Sequence, residues 1–218
     1  MTFLALLVSA NDDAVILMPQ FLYIHGFLSS PQSYKAQQMA AWLSKYHPQI
    51  QYHCPLLSPY PNECATVLHQ IVERAIAEND PIYLMGSSMG GFWASYLAEC
   101  YDVPAVLINP AVNVLERMPS YLGQALKNYH TDDVYCLQAD DLVALSRYDT
   151  PIIQRHNNYW LLVQTADETL DYRLAVNKYQ QCQQTIESGG DHSFQGFERF
   201  HGEALEFFET FYKKNDDK

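Results

Sequence analysis

The chain has 218 residues and a mass of 25.0 kDa, the size of one ordinary domain whose core needs no disulfide or metal staple. Thirteen Lys and Arg against 25 Asp and Glu leave a net charge of −12 without a basic cluster, which argues against nucleic acid or anionic lipid as a charge-held partner. Charged residues are 17% and aromatics 13%, too apolar for a disordered chain and too interrupted by polar residues for an integral membrane segment.

The apolar run Phe3 to Ala10 has no Lys or Arg before it, which disfavours a secretory signal. It reads as an extra edge strand, or as an upstream extension of a domain that starts at Met18. Residues 1–17 are therefore taken as an extension of uncertain role and residues 18–218 as one domain. From Phe21 onward short apolar runs alternate with segments of helical period, the rhythm of a parallel sheet covered on both faces. Strands are expected at Phe21 to His25, Ile50 to Cys54, Pro81 to Gly86, Ala105 to Asn109, Tyr159 to Gln164 and Thr185 to Glu187, mostly as continuous apolar runs that suit buried parallel strands. Met39, Leu43 and Tyr46 recur at helical spacing, as do Ala65, Leu68, Ile71/Val72 and Ala75/Ile76 after Pro61. Phe197, Phe200, Ala204, Phe208 and Phe211 make a third stripe, read as a helix face packed on the sheet. Short helices and loops are expected between Val112 and Asn158, where a cap can be inserted.

The odd number of cysteines, Cys54, Cys64, Cys100, Cys136 and Cys182, shows no C-x-x-C pair and no Cys/His ligand spacing. Free thiols in a reducing cytoplasm, and no metal, follow from that reading. The strongest chemical signal is Gly86-Ser87-Ser88-Met89-Gly90, a G-x-S-x-G run between an expected strand and an expected helix. Such a turn strains the central Ser so that its Oγ stands clear of the sheet edge. With 9 Gly and 13 Ser in the chain, composition alone yields about 0.02 such matches, so the pattern is specific. The alternative is a glycine-rich turn without chemistry.

A nucleophilic Ser88 needs a base and an orienting acid. His192, in the loop Gly189-Gly190-Asp191-His192-Ser193-Phe194 after the last expected strand, is better placed than the other histidines. Asp167 follows the run Trp160 to Val163 by a short turn and is read as the acid. Asp171 is read as the start of the next helix, and Glu168 as pointing away. Oxyanion donors are expected from the N–H of Met89 and, after the first parallel strand, from the N–H of Phe27 beside Gly26, with His25 shaping that loop.

These residues resemble the YqiA-like esterases of the α/β-hydrolase superfamily. The resemblance is carried by Tyr23-Ile24-His25-Gly26-Phe27 with Ser29-Ser30-Pro31, Pro59-Tyr60-Pro61, Gly86-Ser87-Ser88-Met89-Gly90-Gly91, Asn109-Pro110-Ala111-Val112, Asp167-Glu168 with Leu170-Asp171-Tyr172-Arg173, and the His192 loop. It implies a three-layer α/β-hydrolase fold, with a mostly parallel central sheet, helices on both faces and a small lid or none. It also implies a Ser88, Asp167, His192 triad acting without cofactor on a small-molecule acyl ester, by way of an acyl-enzyme. Residues 1 to about 17 depart from the family pattern. Another acyl or C–C bond hydrolase would share every residue named, and a non-catalytic interaction module with this fold is the rival outside enzymes.

Overall fold

The computed structural model describes residues 17–216, so the run Phe3 to Ala10 lies outside the described residues. The elements follow in the order β1 (Gln20–Ile24), α1 (Tyr34–Tyr46), β2 (Gln51–His53), α2 (Pro61–Ala77), β3 (Ile82–Ser87), α3 (Met89–Tyr101) and β4 (Ala105–Ile108). The chain continues through α4 (Val114–Arg117), β5 (Leu126–Lys127), β6 (Val134–Tyr135) and α5 (Ala139–Ser146) to β7 (Tyr159–Gln164), α6 (Tyr172–Lys178), β8 (Gln183–Glu187) and α7 (His201–Asp216).

Six strands form one sheet in the order β2-β1-β3-β4-β7-β8, and every pairing in it is parallel. Successive side chains leave a strand on opposite faces, and the core divides accordingly. Leu22, Ile24, Leu84, Leu107 and Leu161 pack with Leu68 and Val72 of α2 and Phe92 and Leu97 of α3. Phe21, Tyr23, Tyr83, Val106 and Leu162 pack on the other face with Met39 and Leu43 of α1 and Ala204 and Phe208 of α7. The central strands β1, β3, β4 and β7 are buried along their whole length, which is why each reads as an unbroken apolar run.

Register sets the site. Ile24 lies beside Gly86, Gly86 beside Leu107, and Leu107 beside Leu161, so the chain leaves all four central strands along one edge. β1 is flanked by β2 and β3, the place where strand order reverses and where open α/β sheets carry their crevice.

Tyr46, expected on the buried stripe of α1, is 56% exposed. It sits in the last turn, where its ring packs on Trp42 at 6.0 Å rather than on the sheet, and Ala36 completes the buried stripe instead. Phe197 to Phe200 form a 3₁₀ turn leading into α7. The antiparallel hairpin of β5 and β6 has only two residues in each strand, too few for an alternating pattern to announce it. Among the described residues no helix is long and apolar enough to cross a membrane.

Candidate active site

Ser88 joins β3 to α3 with φ 57° and ψ −121°, a strained backbone for a residue with a Cβ that costs on the order of 1–3 kcal/mol. The turn is over-determined by its surroundings. The Ser88 N–H donates to the Ile108 carbonyl at 3.1 Å, and the Ser88 carbonyl accepts from the N–H groups of Gly91 and Ala111, both at 2.9 Å. The two glycines of the motif are required by close approach. A Cβ on Gly86 would stand 2.2 Å from the Gly90 carbonyl oxygen, and one on Gly90 would stand 1.8 Å from that of Ile24.

The loop after β8 brings His192 over this turn. Its Nε2 lies 3.1 Å from Ser88 Oγ, and its Nδ1 lies 2.9 Å and 3.0 Å from the two carboxylate oxygens of Asp167. A carboxylate accepts only, so Nδ1 carries the proton and Nε2 is left to accept from the serine hydroxyl. The Asp167 side chain is 1% exposed and that of His192 24%. Burial pushes the Asp167 carboxyl upward, but hydrogen bonds from the His192 ring and from the N–H groups of Leu170 and Thr169 outweigh it, and the group titrates below the usual carboxylate value. The residues read from the sequence as nucleophile, base and acid thus meet in one relay.

Asp171 does not join them. It caps α6, accepting from the Arg173 N–H at 3.1 Å and pairing with the Arg173 guanidinium at 2.7 Å. Glu168 corrects the expectation that it points away, for its Oε2 accepts the His192 N–H at 3.0 Å. Neighbouring side chains diverge in a strand, but residues 167 and 168 lie in the turn after β7, where that alternation does not hold.

Gly26 stands against the serine, since a Cβ built on it would be 3.4 Å from Ser88 Cβ and 3.9 Å from Ser88 Oγ. Met89 opens α3, so its N–H has no partner within the helix. Among the described residues neither that N–H nor that of Phe27 is taken by another hydrogen bond. A small pocket of about 20 Å³ adjoins both groups, lined among others by Phe27, Leu28, Leu57, Cys64, Met89 and Trp93. The segment between β4 and β7 forms a small cap over this loop. The Tyr129 N–H donates to the Leu28 carbonyl at 2.8 Å, Asn128 Nδ2 to the Ser29 carbonyl at 2.9 Å, and the Tyr121 ring packs on Phe27. A larger open groove of about 600 Å³ lies at the opposite ends of β7 and β8, lined among others by Tyr159, Gln183, Glu206 and Phe211; the serine–histidine–aspartate relay is not in its lining.

Three residues at the site escaped sequence reasoning. Asn109 and Gln164 are buried polar residues at the ends of β4 and β7, and both reach the His192 loop. Lys35 of α1 donates to the Ser193 carbonyl at 2.8 Å; burial lowers its ammonium to about 8, against the opposing pull of Asp191 and Asp167. The available signal was a polar residue closing an otherwise apolar strand run, which marks Asn109 and Gln164 but not Lys35.

A family model described as "Uncharacterised protein family (UPF0227)" matches residues 20–209. The fold is that of the α/β hydrolases. Est1E from Butyrivibrio proteoclasticus with ferulic acid bound superposes with a TM-score of 0.66 at 15% identity, over 90% of this chain and 90% of that one. Alpha/beta hydrolase domain-containing protein 10 from mouse gives 0.64 at 14% identity, over 89% and 90%. The monoacylglycerol lipase of Paleococcus ferrophilus gives 0.62 at 16% identity, over 89% and 96%.

Proposed function

The chain belongs to the uncharacterised protein family UPF0227, the YqiA family that its motifs resemble, and we propose that it is a serine esterase that hydrolyses small-molecule carboxylic esters through an acyl-enzyme. Ser88 Oγ attacks the ester carbonyl while His192 Nε2 takes its proton. The carbonyl oxygen, now an anion, is held by the N–H groups of Met89 and Phe27. His192 returns the proton to the departing alcohol, leaving the acyl group on Ser88. Water, deprotonated by the same imidazole, then attacks the acyl-enzyme and frees the acid. Asp167 keeps the proton on Nδ1 throughout and stabilises the imidazolium. Thioesters are open to the same sequence of steps.

The observation that carries this reading is the unbroken relay from Ser88 Oγ through both nitrogens of His192 to Asp167. The esterase and the lipase that share the fold support an ester as substrate. Labelling by a fluorophosphonate, followed by peptide mapping, tests it. Ser88 is expected to carry the label, and Ser88→Ala to lose on the order of 10⁴-fold in kcat with an unchanged melting temperature. A label on Ser87, or an active Ser88→Ala enzyme, rejects the assignment.

A further inference from the structure

We propose that Asn109 is a positioning residue that sets the three segments of the Ser88, His192, Asp167 relay against one another; the inference rests on the serine-esterase reading above. Asn109 follows β4 directly, between the strand that delivers Ser88 and the strand that delivers Asp167, and it is 2% exposed. Its side-chain nitrogen and oxygen go to different segments. Nδ2 donates to the carbonyls of Asp191 and His192 at 3.0 Å and 3.2 Å, and Oδ1 accepts the N–H of Gln164, the last residue of β7, at 3.0 Å. Its own N–H donates to the Leu162 carbonyl at 2.8 Å.

The same turn reaches the nucleophile. Ser88 N–H donates to Ile108, and Ala111 N–H donates to Ser88. Pro110 lies so close to α3 that a Cβ on Gly91 would be 2.5 Å from Pro110 Cβ. Residues 108–111 therefore touch the serine turn, the end of β7 and the histidine loop at once. With Glu168 on its N–H and Asn109 on its carbonyl, His192 is held on both sides of its Cα.

Two independent demands select asparagine here. The backbone has φ 40°, in the left-handed region where Asn is favoured among residues other than Gly. The surroundings present two acceptors and one donor, which a carboxamide satisfies in a single orientation. An aspartate keeps the acceptor but turns a second oxygen toward two carbonyls. A glycine keeps the backbone and leaves the His192 carbonyl and the Gln164 N–H unpaired, while the Asp191 carbonyl keeps only the Phe194 N–H.

A histidine ring displaced by about 1 Å costs on the order of 10²-fold in rate. Asn109→Gly and Asn109→Asp are therefore both expected to lower kcat for p-nitrophenyl acetate by about that factor, with KM within about threefold. Active-site titration with a fluorophosphonate separates positioning from stability. A positioning role predicts slow labelling that still reaches one label per folded chain. A role in folding alone predicts labelling at the normal rate of a reduced fraction of chains in both variants. That result overturns the inference, as does wild-type turnover in Asn109→Gly or failure of both variants to fold. Ser88→Ala measured alongside keeps the two readings apart. If it stays active the esterase reading falls, whereas an inactive Ser88→Ala beside wild-type-like Asn109 variants removes only the role of Asn109.

Discussion

The Leu57 N–H donates to Nε2 of His25 at 3.1 Å, while His25 Nδ1 lies 2.9 Å from the carbonyl of Gly26. A donor on one ring nitrogen and an acceptor on the other leave a single arrangement, a neutral imidazole with its proton on Nδ1. The ring thereby ties the Phe27 loop to the wall of the small cavity, and protonating it would set two N–H groups against each other.

That relationship has a pH signature. Burial lowers the His25 ring below the ordinary histidine value, and its contacts with the carbonyls of Gly26 and Pro55 only partly oppose this. Below about pH 6.5 the unfolded chain takes up a proton that the folded ring refuses, so stability falls with falling pH until the folded ring itself titrates. Asp167 acts in a lower window, because its contribution is present above the ordinary carboxylate value and is lost as pH falls through its depressed one. Between about pH 6.5 and 5 the slope thus reports histidine. His53 and His201, also lowered by burial, contribute to it as well. Urea midpoints from pH 7.5 to 5 are expected to decline, and to decline less steeply in His25→Gln. Equal slopes in the two proteins would remove His25 from this account.

Asp167→Asn replaces an obligate acceptor by a group that can donate, which allows the imidazole to adopt the tautomer with its proton on Nε2. A fall in kcat on the order of 10⁴-fold is expected, with KM little changed. Asp171→Asn removes an exposed carboxylate pair with Arg173 while Asn can still cap α6, so stability and turnover are both expected to change hardly at all. Steady-state kinetics on the two variants decide the matter; comparable losses would mean that the acid has been assigned to the wrong carboxylate.

The strand-by-strand layout was legible because the central strands are buried on both faces, which writes Tyr159–Gln164 and its neighbours as continuous apolar runs. The segments that carry Ser88 and His192 were legible for a different reason. A strained serine needs glycines two residues away on each side, and a histidine that reaches back over a sheet edge needs a flexible loop, so both leave local marks. Glu168, Asn109 and Lys35 left none of that strength, because each acts on the His192 loop through a contact that only the folded register creates. Lys35 and Ser193 are separated by 158 positions, and no local pattern spans that distance. The cap was illegible for want of length, since strands of two residues carry no period.

The cavity beside the proposed oxyanion donors makes a prediction about acyl length. Its volume of about 20 Å³ has room for the methyl of an acetyl group, and a longer acyl chain would have to turn out through its mouth. Trp93 lines it from α3, one turn beyond Met89, with its own ring wedged against Phe92 and Tyr148. Shortening that side chain therefore opens space next to the carbonyl that Ser88 is proposed to attack, without touching the relay. Trp93→Leu is preferable to Trp93→Ala, which would cost roughly 3–5 kcal/mol of core packing. The wild type is expected to favour acetyl over hexanoyl esters of the same alcohol. In Trp93→Leu the hexanoyl to acetyl ratio of kcat/KM is expected to rise at least on the order of tenfold, since room for even one added methylene in an apolar pocket is worth about 1–3 kcal/mol. Burst kinetics with matched p-nitrophenyl esters would measure acylation directly and exclude an effect confined to product release. An unchanged ratio in a folded Trp93→Leu enzyme would mean that the acyl chain leaves Ser88 in another direction and that this cavity is not its pocket.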